Sequence, residues 1–255
     1  MIRPPFDAVR AASLRAEWAQ ALKQPGELSN SLGIKLVLIP GGRFDAGVKG
    51  STHAVTLSKP YYLGVTEVTM GQYRKFNPEH QVAEAGPEFQ ADDFPAAMVS
   101  WEDARAFCQW LSDQPAEKAA GRQYALPTEA QWEWAARAGT DTPQYFAGGE
   151  PELKKFAWYN VTYTPNPKHE SEGRGRHPVG KLQANAWGLF DLYGNVWEWT
   201  AERHVDEATG ESRDPAIRGG GWRSGGSHCN SESRDPAAIH LRQDHVGFRV
   251  VCRVP

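Results

Sequence analysis

Ten tryptophans stand in a chain that also carries 25 glycines and 18 prolines, and that combination restricts the fold more than any other feature. Glycine and proline interrupt regular elements, so long helices and wide sheets are disfavoured along much of the length. Large rings must then supply the packing that regular elements would otherwise provide. The expectation is an α+β chain, loop-rich, with short strands and a few helices. Its 255 residues suffice for one sizeable core. The expected division is an N-terminal helical extension over 1–26 and one domain over 27–255.

Local patterns give the expected elements. Residues 5–24 predict a helix, because Leu14, Trp18 and Leu22 recur every four positions before Pro25-Gly26 ends the run. Its amphipathic face favours packing on its own domain over an arm reserved for a partner. The apolar run 34–39 closes on Pro40-Gly41-Gly42 and, with 43–46 behind it, predicts a hairpin. Residues 55–57, 61–63, 195–200, 217–222 and 246–251 read as further strands. Thr69, Ser100 and Thr128 stand where helix caps belong, the last two in Ser-Trp-Glu-Asp and Thr-Glu-Ala-Gln capping-box patterns. Residues 141–178 read mostly as loop. The pentapeptide Glu-Ser-Arg-Asp-Pro occurs at 211 and again at 232, too short a match to be a structural repeat.

Charge narrows the function. A net charge of −3 without basic runs gives no electrostatic footprint for nucleic acid or an anionic membrane. No apolar stretch is long enough to span a bilayer. The first 21 residues are charged throughout, without the apolar core of a signal peptide. Cys108, Cys229 and Cys252 form neither a disulfide scaffold nor a CxxC pair. A cytoplasmic location, where thiols stay reduced, is therefore expected.

Seven stretches, taken in order, are specific. They are LVLIPGGRF (36–44), KPYYLGVTEVTMGQYRKF (59–76), VSWEDARAFCQWLS (99–112), YALPTEAQWEWAARAGT (124–140), AWGLFDLYGNVWEWT (186–200), RGGGW (218–222) and GFRVV (247–251). Together they resemble the formylglycine-generating-enzyme, or sulfatase-modifying-factor, family over roughly residues 30–252. The resemblance implies a C-type-lectin-like α+β fold. It also implies a reaction in which copper and dioxygen oxidise a cysteine of a client sulfatase to formylglycine.

The family's copper site is a Gly-Gly-Ser-aromatic-x-Cys segment with a second cysteine five positions on. Soft Cu(I) takes two facing thiolates in that arrangement. Laid on this chain, the aromatic is Trp222 and the second cysteine is Cys229, but the first cysteine becomes Ser224 and the serine becomes Gly221. A hydroxyl is hard and stays protonated, so copper is not expected. Cys229 is then either a buried apolar thiol or a single-thiolate ligand or nucleophile. Cys108 and Cys252 fall on segments that the family fold brings near each other.

The resemblance also implies a calcium loop in Asp191-Leu-Tyr-Gly-Asn-Val-Trp-Glu198, with side-chain ligands Asp191 and Glu198 and carbonyl ligands Gly194 and Val196. Calcium takes several hard oxygens, and a glycine turn lets carbonyls converge between two carboxylates. The alternative is that Asp191 caps the turn while Glu198 pairs with an arginine such as Arg249. The family's other calcium segment, near 157–160, does not match, since Trp158 and Tyr159 interrupt it. His177 is expected to be structural, and His204, His228, His240 and His245 lack metal-ligand spacing.

If copper chemistry is lost, the same surface can still bind, since loops on rigid scaffolds carry recognition. Trp222, Arg223, Ser224, His228 and Arg234 are the candidate lining for a protein or small ligand along 222–235. Variable proteins of diversity-generating retroelements also resemble this family and diversify this segment. Two functions stand: a non-catalytic interaction module, or an oxidoreductase of the sulfatase-modifying-factor type acting on a cysteine or another small thiol.

Overall fold

The computed structural model describes residues 1–48, 50–82, 87–160, 175–202 and 214–254. The N-terminal half holds α1 (Ala8–Leu22), β1 (Glu27–Ser29), β2 (Lys35–Ile39), β3 (Gly42–Val48), β4 (Ser51–Leu57), β5 (Tyr61–Gly64), α2 (Met70–Tyr73), α3 (Trp101–Ser112) and α4 (Pro115–Ala119). Then come β6 (Tyr124–Ala125), α5 (Glu129–Arg137) and α6 (Glu150–Leu153). The last third supplies β7 (Trp197–Trp199), β8 (Ala216–Arg218), β9 (Arg234–Pro236), β10 (Val246–Gly247) and β11 (Val251–Arg253).

The five-stranded sheet runs β1-β2-β5-β11-β6 and is antiparallel throughout. Successive side chains of a strand point to opposite faces. Leu36, Leu38, Tyr62 and Cys252 accordingly enter one core with Phe107, Trp199 and Phe248. Val37, Ile39, Tyr61, Leu63 and Val251 enter a second core with Trp132, Trp134, Trp187 and Tyr193. Along 36–39 of β2 and throughout β5 neither face meets water, which is why these strands read as unbroken apolar runs rather than alternating ones. At roughly 25 cal/mol per Å² of apolar area, this two-sided burial is the main stabilising contribution.

The three predicted helix starts are formed as capping boxes. Thr69, Ser100 and Thr128 each accept from the backbone three residues on, and Gln72, Asp103 and Gln131 return the bond. The N-terminal helix is shorter than 5–24, starting after the Asp7 cap and ending where Lys23 turns left-handed at φ 54°. It is docked: Ala11 and Leu14 enter one core while Trp18, Ala19 and Leu22 lean on the other. Phe6, just before it, meets the Trp134 and Trp187 rings edge-on at 6.2 and 5.3 Å.

Three strand expectations need correction. Residues 43–46 do not return along β2. Instead β3 pairs with β4, and β2 sits between β1 and β5. Gly41 passes so close to β4 that a Cβ there would lie 2.4 Å from the Leu57 carbonyl oxygen. The run 246–251 is also not one strand. β10 pairs parallel with β7 in a four-stranded sheet ordered β10-β7-β8-β9, whereas β11 joins the five-stranded sheet. The intervening Arg249 is drawn to Glu198. Finally, β8 stops at Arg218 because Gly219 and Gly220 adopt φ of 93° and 80°. The 141–178 stretch contains the one-turn α6. The first pentapeptide copy and His204 fall at least partly outside the described residues.

Candidate functional site

β7 and β8 carry the two candidate segments side by side, with Glu198 opposite Arg218 in register. After β8 the two left-handed glycines are obligatory. At Gly219 a Cβ would lie 2.5 Å from the Leu192 carbonyl oxygen, and at Gly220 it would press the Cys229 sulfur at 3.0 Å. This turn folds 221–230 over the ends of the strands. A 3₁₀ turn over Gly226–His228 then leads into Cys229.

Ser224 is the pivot of the segment. Its Oγ accepts from Trp197 Nε1 and from the Gly221 amide, both at 3.0 Å, and its amide donates to the Gly221 carbonyl at 2.8 Å. The hydroxyl at the family's thiolate position is therefore a local structural bond. Cys229 is fully buried in the second core. Burial, reinforced by the negative charge of Glu150, pushes its thiol up to about 12. Cys108 and Cys252 belong to the first core, and all three cysteines are free thiols. The sheet separates Cys229 from both other sulfurs, so these residues do not provide a two-thiolate copper ligand set.

The surface residues are only partly brought together. The Arg223 guanidinium lies over the Trp222 ring at 4.6 Å and bonds Asp244 at 2.6 Å. Trp222 Nε1 reaches the Asp244 carbonyl at 3.4 Å, and His245 Nδ1 lies 3.1 Å from the same carboxylate. Burial alone would raise the Asp244 carboxyl, but the His245 and Arg223 hydrogen bonds outweigh it and hold the group below its usual range. His228 is exposed at the 3₁₀ turn. Arg234 faces α5, forking onto Glu129 at 2.7 and 3.2 Å. It extends a charge network in which Glu133 receives Arg137 and Arg218, each at 2.8 Å. The network clamps the far end of the segment, so Arg234 anchors the surface more than it lines it. Asp244 is the residue of the candidate surface that sequence reasoning missed. Its partner lies 21 positions away, and no local pattern signals it.

At the expected calcium loop, Asp191 and Asn195 are left-handed at φ 54° and 55°. Gly194 packs so tightly that a Cβ would sit 2.3 Å from the Trp158 carbonyl oxygen. Asn195 grips His177 through both backbone groups, at 2.9 and 3.2 Å, giving that histidine the structural place expected of it. The fit to calcium divides within the loop. Glu198 Oε2 takes Arg249 Nε at 2.6 Å and Trp132 Nε1 at 2.8 Å, while Oε1 takes Arg249 Nη2 at 2.6 Å. A cation on Glu198 would stand against that guanidinium, so the set Asp191, Gly194, Val196 and Glu198 does not fit calcium in this arrangement. Asp191 differs: Oδ2 accepts from the Gly180 amide at 2.6 Å, and Oδ1, buried, has no partner. Glu67, in the EVT motif, is buried with neither carboxylate oxygen partnered.

This two-core arrangement around a short-stranded sheet, with a glycine-turned segment laid over its strand ends, defines a formylglycine-generating-enzyme-like domain of C-type-lectin-like fold. Residues 23–254 match the sulfatase-modifying factor enzyme 1-like domain, and the chain belongs to that family. Among its relatives is the inactive Cα-formylglycine-generating enzyme 2 of Bos taurus, 29% identical over 284 aligned residues, covering 88% of this chain and 89% of that protein. Similar solved structures include PvdO from Pseudomonas aeruginosa, with a TM-score of 0.74 and 26% identity over 91% of this chain and 100% of that one. Treponema denticola variable protein 1 superposes with a TM-score of 0.71 at the same identity and coverages. No helix among the described residues is long and apolar enough to cross a membrane.

Proposed function

We propose that this chain is a non-catalytic member of its family, a binding module that uses the 222–235 surface to recognise a protein or small ligand. The observation that carries the reading is Ser224, a hydroxyl at the first-thiolate position whose oxygen is engaged by Trp197 and Gly221. Cys229, its would-be partner, is buried and holds its proton well beyond neutral pH. Copper needs a thiolate, and it would have to displace a proton that burial holds firmly on the Cys229 thiol. Similarity to a relative described as inactive supports the same reading. The Arg223 guanidinium over the Trp222 ring, beside Asp244, presents both signs of charge and an aromatic side chain, which suits a polar partner. Three free thiols suit a reducing compartment.

The test is competition for Cu(I) against a thiol-competing chelator, with oxygen consumption followed on a cysteine-containing peptide. The parent is expected to yield its copper and consume no oxygen, while Ser224→Cys gains copper affinity. Tight one-to-one copper on the parent with peptide-dependent oxygen uptake would replace this reading with the oxidoreductase one.

A further inference from the structure

β4 forms one edge of its sheet. β3 lies on one side of it, and among the described residues no strand lies on the other. Residues 51–54 and 56 are exposed, while Val55 and Leu57 lean on the second core. The bonds of β3 reveal which way the backbone of β4 points. The Arg43 amide donates to the Ile2 carbonyl at 2.9 Å. Gly47 is held by α5, its amide donating to Glu133 at 3.0 Å and its carbonyl accepting from Arg137 at 3.1 Å. Arg43, Gly47 and, by alternation, Asp45 thus turn their polar groups away from β4. Directly opposite residues of an antiparallel pair alternate between exchanging both bonds and both turning outward. The partners of these three, Thr56, Thr52 and Ala54, accordingly aim N–H and C=O at the open edge.

Open strand edges template pairing with another chain, and proteins blunt them with short strands, charges, proline or a bulge. β4 has none of these devices. It is seven residues long, Ser-Thr-His-Ala-Val-Thr-Leu, in unbroken register with β3 from Ser51 to Leu57. We propose that β4 is a homotypic interface, pairing antiparallel with β4 of a second copy about a twofold axis at Ala54. The outward groups set the register. With Ala54 opposite its own copy, Thr52 faces Thr56, and each of these positions exchanges both backbone bonds. A slip of one residue would set outward groups against inward ones. Side chains fit the same register: Thr52 meets Thr56 on one face, His53 meets Val55 on the other, and no carboxylate or ammonium opposes its like. A strand without acid or base has nothing to select a charged partner, whereas its own copy satisfies every outward group at once. The product is a closed, symmetric four-stranded ribbon in which the two β4 strands are central. Seven residues a side bury less than the ~1,200 Å² of a standard interface, so the pair is reversible.

The full chain is followed by sedimentation velocity over a concentration series, with native mass spectrometry at the upper end. A monomer passing to a dimer as concentration rises is expected. Ala54→Lys and Ala54→Glu each place like charges opposite one another at the twofold, and should weaken the dimer by about tenfold or more. Mixing the two variants in equal amounts should restore it as a mixed pair. Ala54→Pro deletes an N–H that β3 does not use, and should also leave the chain monomeric. A parent that stays monomeric at its highest soluble concentration overturns the proposal, and leaves the edge to a strand of another protein. A dimer undiminished in Ala54→Lys or Ala54→Pro overturns it as well, since the contact then lies on another face. Two charge variants that stay monomeric when mixed overturn the register.

Discussion

Arg249 holds Glu198 from two nitrogens at once, Nε on Oε2 and Nη2 on Oε1, each at 2.6 Å, between side chains 0% and 1% exposed. The pair joins the WEW and GFR motifs and fixes β7 against the stretch between β10 and β11. Removing one member of such a pair leaves a buried charge without its counter-ion. Glu198→Gln should therefore cost about 3–5 kcal/mol of stability by urea unfolding. Combined replacement of both residues by apolar ones of similar volume should cost less than either single change.

Restoring the family's serine at 221 should not be neutral. A Cβ on Gly221 would stand 3.0 Å from the His245 carbonyl oxygen and 3.1 Å from Trp197 Cδ1. Gly221→Ser should lower stability by about 1–3 kcal/mol, through overpacking. It should also loosen the Ser224 bond, visible as a changed tryptophan emission from Trp197.

The cysteines should behave as core residues. Cys229 is pushed up to about 12 and Cys252 to about 11, both chiefly by burial. Neither should react with iodoacetamide at pH 8 until the chain unfolds. These thiols also set a pH trend. Unfolded thiols ionise near pH 8.5 while the folded ones keep their protons, so the unfolded chain is favoured as pH rises from there towards about 11–12. Stability measured between pH 8 and 10 should fall, and Cys229→Ala should flatten the slope.

Acid should destabilise the chain through His80. Burial holds its imidazole below the usual range, ahead of the opposing hydrogen bond to the Ala97 carbonyl at 2.9 Å. Below about pH 6.5 the unfolded chain takes up the proton first, so stability present at neutral pH is lost as pH falls. His80→Gln should reduce the loss between pH 7 and 5 in urea titrations.

What the sequence made legible follows the range of each signal. Thr69, Ser100 and Thr128 were readable because a capping box spans four residues. LVLI and YYLG were readable as strands, but their partners were not, since β2 pairs with β5 across a sequence gap filled by another hairpin. The split of 246–251 depends on Glu198, 51 positions from Arg249, which motif spacing cannot encode. Family resemblance located Ser224, Cys229 and the Asp191 loop. Glu67 went unnoticed because a glutamate in EVT reads as solvated, and only the packed structure places it 1% exposed.

β11 is the last strand among the described residues yet lies inside the five-stranded sheet, between β5 and β6. During synthesis, neither hydrophobic compartment can be sealed until residues 251–253 have left the ribosome, and a strand laid down nearly 190 positions earlier must wait for its neighbour. Such long-range closure slows folding and exposes apolar edges in the interim. Truncation before residue 251 would then remove the wall shared by both compartments.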